Sequence, residues 1–249
     1  MKAMILAAGL GTRLRPLTDS IPKALVKINN KTLLEITINR IKEFGISEVI
    51  VNVHHFADQI IQFLKENNYF DIQIEISREE NLLDTGGGLK KAGWFFNDNE
   101  PFLVHNVDVL SNVNINELLK FHKKNSAIAT LATRTRKTSR YFLTDSHNTL
   151  CGWESVQLNE KKIVRQSPGN LSRVSFMGIH IISPELLVYL PNEEKFSIVD
   201  AYLKIAENHV IKTMPCDTYR WLDLGKPEQL SQASAQFPEL ITGMMDEFL

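Results

Sequence analysis

The chain has 249 residues, enough for one large α/β domain or two small ones around a buried core. Lys plus Arg total 28 against 29 Asp plus Glu, a formal net charge of -1. That excludes the surplus of positive charge on which broad nucleic-acid or membrane attraction depends, though not a local anion site. Hydrophobic residues are 43% and charged residues 23%, ordinary for a soluble enzyme, and no apolar run approaches the ~20 residues needed to span a bilayer.

Strand and helix patterns alternate from the start. KAMILAA is a continuous apolar strand, and its short apolar run is broken by glycines too early for a secretory signal. TLLEITINRIKEFG has helical apolar spacing and stops at Gly45. SEVIVNVHH is a second strand, ADQIIQFLKENN an amphipathic helix and FDIQIEIS a third strand. A glycine-rich turn, TGGG, is expected to lead into LKKAGWFF. PFLVHNVDVL reads as one further buried strand, NINELLKFHKKN as a helix capped by Asn114 or Asn116, and AIATLAT as a strand. Repeated βαβ units imply right-handed crossovers and a mostly parallel sheet covered on both faces.

Past residue 135 the rhythm changes. SRYFLTDSHNTLCGWES reads as two short strands joined at Ser146 to Asn148, and VSFMGIHIIS as a strong strand. SPELLVYL and FSIVDAYLKIAENH are expected helices, HVIKTMPC and YRWLDLG strands, and KPEQLSQASAQF a helix with Pro227 in its first turn. No Gly-, Pro- or Ser-rich linker or internal repeat interrupts the chain. One domain is expected, with a nucleotide half at 1–135 and an acceptor half at 136–249. Cys151 and Cys216 form no CxxC and no zinc spacing, which suits reduced thiols in a cytoplasmic protein.

The stretch ILAAGLGTRLRPLTDSIPKAL, residues 5 to 25, carries the chemistry. Glycines directly after a strand let backbone N–H groups approach a ligand closely, and such a nest favours phosphate. Arg13 adds a planar fork of donors and Lys23 a point charge, so polyphosphate is the natural guest; a surface turn with solvated cations is the plain alternative. The Walker motif is absent, since no Gly-Lys-Ser/Thr follows. The dinucleotide fingerprint needs a third glycine where Leu14 stands and an acid where the second strand ends in Asn52, His54 and His55. His54 and His55 suit a loop or core role better than a ligand contact, and Trp153 and Trp221 suit packing.

LAAGLGTRLRPLT followed by IPKAL resembles the N-terminal motif of the sugar-1-phosphate nucleotidyltransferases, usually LAAGxGTRLxPLT then PK. LLDTGGGLKKA, VHNVDVL and RWLDLGKPEQL resemble later segments of that family, in its order, so the likeness extends over essentially the whole chain. The length and the TGGG triplet look most like short bacterial members, among them N-acetylmuramate-1-phosphate uridylyltransferases and proteins labelled mannose-1-phosphate guanylyltransferases. The resemblance implies a three-layer α/β/α sandwich, Rossmann-like and GT-A-like, around a mixed, mostly parallel sheet. It implies that an NTP, UTP or GTP, reacts with a sugar-1-phosphate to give an NDP-sugar and pyrophosphate, with Mg²⁺ as cofactor. No protein nucleophile or general base is required, because the attacking phosphate oxygen is already ionised.

The same resemblance assigns roles. Leu6, Ala7, Ala8, Gly9, Gly11 and Thr12 line the nucleotide, with the backbone from Ala8 to Thr12 cradling the triphosphate. Arg13 meets the β/γ end, Lys23 the α-phosphate and the incoming sugar phosphate. Thr85, Gly86 and Gly87 approach the base, and Asn106 also contacts the nucleotide. Asp108 and Asp223 share Mg²⁺, and Arg13, Lys23 and Asp108 form the catalytic set. Glu154 and Gly178 lie where the family contacts sugar hydroxyls, and Arg140 is placed to meet an acidic group of the sugar or its phosphate.

Three departures stand out. Val107 replaces the glycine usual before the metal Asp and puts a Cβ near the expected ribose. Ala24 replaces the second proline of PKP, and GWESVQL lacks the EKP lysine, for which Lys23, Arg140 or Arg165 are candidate substitutes. Two rival readings are a cytidylyltransferase acting on phosphocholine or another alcohol phosphate, and a non-catalytic nucleotide-sugar-binding protein of the same fold.

Overall fold

A computed structural model describes residues 1–242. In chain order its elements begin with β1 Ala3–Leu6, β2 Lys27–Ile28, β3 Lys31–Thr32, α1 Leu33–Lys42, β4 Glu48–Val53, α2 Ala57–Glu66 and β5 Gln73–Arg78. Next come α3 Asp84–Ala92, β6 Phe102–Asn106, β7 Val109–Ser111, α4 Ile115–Lys124, β8 Ala129–Arg134 and β9 Arg140–Thr144. The rest are β10 Leu150–Ser155, β11 Glu160–Ile163, β12 Ser172–Ile182, α5 Ile198–Ala206, β13 Ile211–Pro215, β14 Trp221–Asp223, α6 Pro227–Gln236 and α7 Pro238–Thr242. The chain forms two compact units that interleave in sequence. The first holds Met1–Leu82, His105–Asn112 and the chain from Arg220 on; the second holds Leu83–Val104 and Val113–Tyr219.

In the first unit β1, β4 and β5 are parallel, with Leu6 opposite Asn52 and Asn52 opposite Ser77. Ala3, Met4 and Ile5 have no exposed surface, as a strand covered on both faces requires. The α1 helix starts where the Thr32 hydroxyl accepts the Glu35 N–H at 3.0 Å, and it buries Leu33, Leu34, Ile36, Ile38 and Ile41. Asn29 and Asn30, with φ of 45° and 69°, turn the small β2–β3 hairpin, which the sequence reading did not anticipate.

In the second unit β11, β10, β9 and β12 follow one another as antiparallel neighbours. β8 lies antiparallel to β12 and parallel to β13. Asn114, one of the two expected caps, accepts N–H groups from Asn116 and Glu117 to start α4, and Ser197 starts α5. The α/β class and the mixed sheet are as expected, with parallel β1, β4 and β5 in the first unit and mostly antiparallel pairs among the strands of the second. Cys151 and Cys216 are both free thiols and buried.

Three expectations are corrected. TGGG is not a turn but the opening of α3. The N–H groups of Gly86 and Gly87 donate to the Phe196 carbonyl at 3.0 and 3.2 Å. A Cβ at Gly86 would collide with the Phe196 ring, and one at Gly87 with the Glu194 carbonyl. Close packing therefore overrides the ~1 kcal/mol helix penalty of a glycine. PFLVHNVDVL is two strands, not one. After β6 the Val107 N–H donates to the Leu6 carbonyl at 3.2 Å, and β7 takes β14 as a new partner. SPELLVYL forms a 3₁₀ helix, Pro184–Tyr189, rather than an α-helix.

Candidate active site

The first unit brings the end of β1, the chain after β6 and the end of β14 together. The loop after β1 leaves the strand at Leu6, with Ala7 and Ala8 buried and Gly9 and Leu10 exposed. Gly11 has φ 67°, and a Cβ there would lie 2.9 Å from the Thr18 methyl and 3.1 Å from the Lys23 Cβ. The Thr18 hydroxyl donates to the Gly11 carbonyl at 2.8 Å, which locks this corner. A Cβ at Gly9 meets nothing within 4 Å, so no packing demand accounts for a glycine there. A short 3₁₀ turn, Thr12–Leu14, follows with Leu14 buried and Thr12 and Arg13 exposed.

Arg13 lies against the chain after β14: a Cβ at Gly225 would come within 2.8 Å of its guanidinium carbon and both terminal nitrogens. Lys23 stands on a second 3₁₀ turn, Lys23–Leu25, with a side chain 10% exposed, and it donates to the carboxylate of Asp108, which is 21% exposed. β7 pairs with β14 so that Asp223 faces Val109, and the Leu224 N–H donates to the Asp108 carbonyl at 2.8 Å. Arg13, Lys23, Asn106, Asp108 and Asp223 thus belong to one unit, although more than 200 residues of sequence separate the first from the last.

Hard oxygen donors in the turn before β7 and at the end of its partner β14 suit a divalent cation whose remaining ligands come from phosphate and water. Among the described residues no cluster of three or more His, Cys, Asp or Glu side chains is placed to hold a metal by itself. Val107, expected near the ribose, is 4% exposed, so its isopropyl group is spent on the interior. Burial pushes the neighbouring His105 down to about 4, which keeps its imidazole neutral at pH 7, and its Nδ1 lies 2.8 Å from the Asn106 carbonyl.

Behind the loop lies a polar relay that the sequence reading missed. The Ala7 N–H donates to Asn52 Oδ1 at 2.8 Å, and Asn52 Nδ2 donates to Glu79 Oε1 at 2.6 Å. In the sequence Asn52 stands out only as a residue where a dinucleotide fold would have an acid. His54 Nδ1 sits 2.9 Å from the Glu79 carbonyl, a loop-bracing role, and the His55 ring packs tilted against Phe56, with 3.9 Å between ring centroids.

The second unit holds the remaining assigned residues. Thr85, Gly86 and Gly87 occupy the first turn of α3, where the Thr85 hydroxyl accepts the Ile198 N–H at 3.0 Å. Arg140 is exposed at the start of β9, opposite Ser155. Gly178 sits where β12 shifts register against β8. Glu154 is engaged by Arg173 through two hydrogen bonds of 2.7 and 2.6 Å, and that guanidinium holds its carboxyl below the usual range. The same guanidinium lies 5.6 Å from the Tyr141 ring centroid. Arg173, absent from the sequence reading, therefore stands beside the residue assigned to sugar hydroxyls. Arg165 is removed from the candidates for the missing lysine: its guanidinium donates to the Ala206 and His209 carbonyls at 3.0 Å each, closing the end of α5.

A model of the nucleotidyl transferase family matches residues 2–239. The chain is 32% identical over 251 residues to a UTP–glucose-1-phosphate uridylyltransferase of Synechocystis sp., covering 94% of this chain and 62% of that protein. It is also 32% identical over 231 residues to a probable mannose-1-phosphate guanylyltransferase 1 of Oryza sativa subsp. japonica, covering 91% of this chain. The chain spans 62% of the length of each of these two relatives. Among solved structures, HddC from Yersinia pseudotuberculosis complexed with GMP-PN superposes with a TM-score of 0.77 over 95% of this chain and 99% of its own; at 21% identity this is a likeness of fold.

Proposed function

The chain belongs to the nucleotidyl transferase family, and from that premise we propose that it transfers a nucleotidyl group from UTP or GTP to a sugar-1-phosphate, releasing pyrophosphate. One observation carries the reading: a loop free of packing at Gly9, an arginine, a lysine and two carboxylates come together within one unit.

The chemical obstacle is repulsion. A sugar phosphate must bring a negative oxygen to the α-phosphorus of a polyanion. Two unit charges 4 Å apart interact by about 4 kcal/mol at an effective dielectric of about 20, so each cation set in place beforehand counts. Backbone N–H groups from Ala8 to Thr12 hold the triphosphate. Arg13, backed by the chain at Gly225, meets the β- and γ-phosphates, where charge accumulates as pyrophosphate leaves. Lys23 neutralises the α-phosphate and the incoming phosphate.

Asp108 and Asp223 would hold Mg²⁺. When bound, the ion neutralises phosphate charge and orients the triphosphate. Thr85, Gly86 and Gly87 in the second unit are assigned to the base, and Arg140, Glu154 and Gly178 to the acceptor. Arg173, fixed on Glu154, places a cation in that acceptor region and takes over from Arg165 as a candidate for the charge of the missing lysine.

Four NTPs tested against a panel of sugar-1-phosphates, with phosphocholine as a further acceptor and released pyrophosphate as the readout, check the proposal. Turnover with UTP or GTP and a sugar-1-phosphate supports it. Turnover only with CTP and phosphocholine would transfer the chain to the alcohol-phosphate reading. Nucleotide-sugar binding without turnover in any pair would make it a non-catalytic binder.

A further inference from the structure

We propose that Asn52 and Glu79 are positioning residues for the phosphate-binding loop, fixing the direction of its backbone N–H groups without touching the ligand. The proposal rests on reading that loop as the triphosphate cradle.

A parallel ladder continues only while main-chain groups find main-chain partners. β1 runs beside β4 through the Leu6–Asn52 position and stops there. The next donor, the Ala7 N–H, is taken by the side chain of Asn52. An amide in place of a neighbouring carbonyl lets the chain leave the sheet without orphaning a buried donor. It also fixes the peptide plane from which Ala8 and Gly9 depart.

An asparagine amide has two faces, and only one presents the acceptor. Glu79, just past β5, settles the choice. Its carboxylate only accepts hydrogen bonds, so it faces Asn52 Nδ2 and turns Oδ1 toward Ala7. Asn52 and Glu79 are each 2% exposed, and the Glu79 backbone is anchored by its own N–H to the Val53 carbonyl at 2.8 Å. The bond between the two buried side chains holds the amide in one orientation.

The relay makes a reciprocal prediction. Asn52→Asp keeps an acceptor for Ala7 but sets it against the Glu79 carboxylate. Asn52→Asp combined with Glu79→Gln restores one donor between the two positions in the opposite direction, with the same net charge. Titration calorimetry with UTP or GTP and Mg²⁺, and a thermal melt, are run on wild type, both single variants and the double. Asn52→Asp should weaken nucleotide binding by about tenfold or more, and the double variant should return to within about threefold of wild type. In steady state the single variant should raise the KM for NTP while leaving that for the sugar phosphate unchanged. A wild type that binds neither UTP nor GTP refutes the cradle reading itself. A wild type that binds, with Asn52→Asp indistinguishable from it or the double no better than the single, refutes this proposal alone. If Asn52→Asp does not fold, the double variant decides: near-native affinity supports the relay, and weak binding in a folded double refutes it.

Discussion

Lys23 donates to Asp108 across 85 residues of sequence, so the proposed catalytic lysine and one proposed metal ligand neutralise each other before any substrate arrives. The pair is buried enough to be ordered and open enough to exchange partners. A divalent cation at Asp108 would compete with the Lys23 ammonium, and an ammonium displaced in that way would be free for phosphate.

Lys23→Ala should therefore act in opposite directions on two measurements. kcat should fall by about 10²-fold, the loss expected for one preorganised donor at a site of developing charge. Mn²⁺ binding to the nucleotide-free protein, followed by paramagnetic relaxation, should tighten. Weaker Mn²⁺ binding together with unchanged kcat would make the pair a structural ion pair.

Asp108→Asn and Asp223→Asn should each abolish metal-dependent turnover while circular dichroism and the melting temperature remain near wild type. Near-normal rates in both variants would remove these residues from the metal site.

Gly9 and Gly11 separate ligand from fold. Gly11→Ala forces a side chain into the left-handed region and against Thr18, and should destabilise the protein by about 1–2 kcal/mol. Gly9→Ala meets nothing in the protein, so stability should hold while the KM for NTP rises. Equal loss of stability in both would mean that Gly9 is also structural.

Histidine protonation sets an acid limit. Burial holds His122 down to about 4 from an ordinary 6.5, between Thr130 Oγ1 and Ser183 Oγ at 3.0 Å each. The unfolded chain takes up this proton below about pH 6.5, whereas the folded chain does not until near 4. The stability contributed by neutral His122 is thus complete above pH 6.5 and lost as pH falls toward 4, about 3 kcal/mol in all. Urea midpoints measured from about pH 7 to about pH 4.5 should fall more steeply for wild type than for His122→Asn; equal slopes would contradict this.

Periodicity made most of the elements legible, because α1, α2 and α4 are amphipathic and β1 and β4 are nearly all apolar. It failed where tertiary contact decides. Nothing local in TGGG says helix; the Phe196 carbonyl and ring do. Nothing in VHNVDVL says break; the new partner, β14, lies more than 100 residues on. Of the candidate site, the loop, Arg13 and Lys23 stand out in one short motif, whereas the two aspartates become candidates only through the family resemblance. The roles of Asn52, Glu79 and Arg173 were not legible, because each acts through a partner that only folding brings within reach: Ala7 for the relay, Glu154 for the arginine.

The central claim is that the N-terminal loop and the two distant carboxylates serve the same triphosphate. A crystal structure with a non-hydrolysable UTP or GTP analogue and Mg²⁺ tests it most directly. The expected result is phosphate oxygens on the amides of Ala8 to Thr12 and one ion bound by both Asp108 and Asp223. Phosphates bound elsewhere, or carboxylates that share no ion, would contradict it.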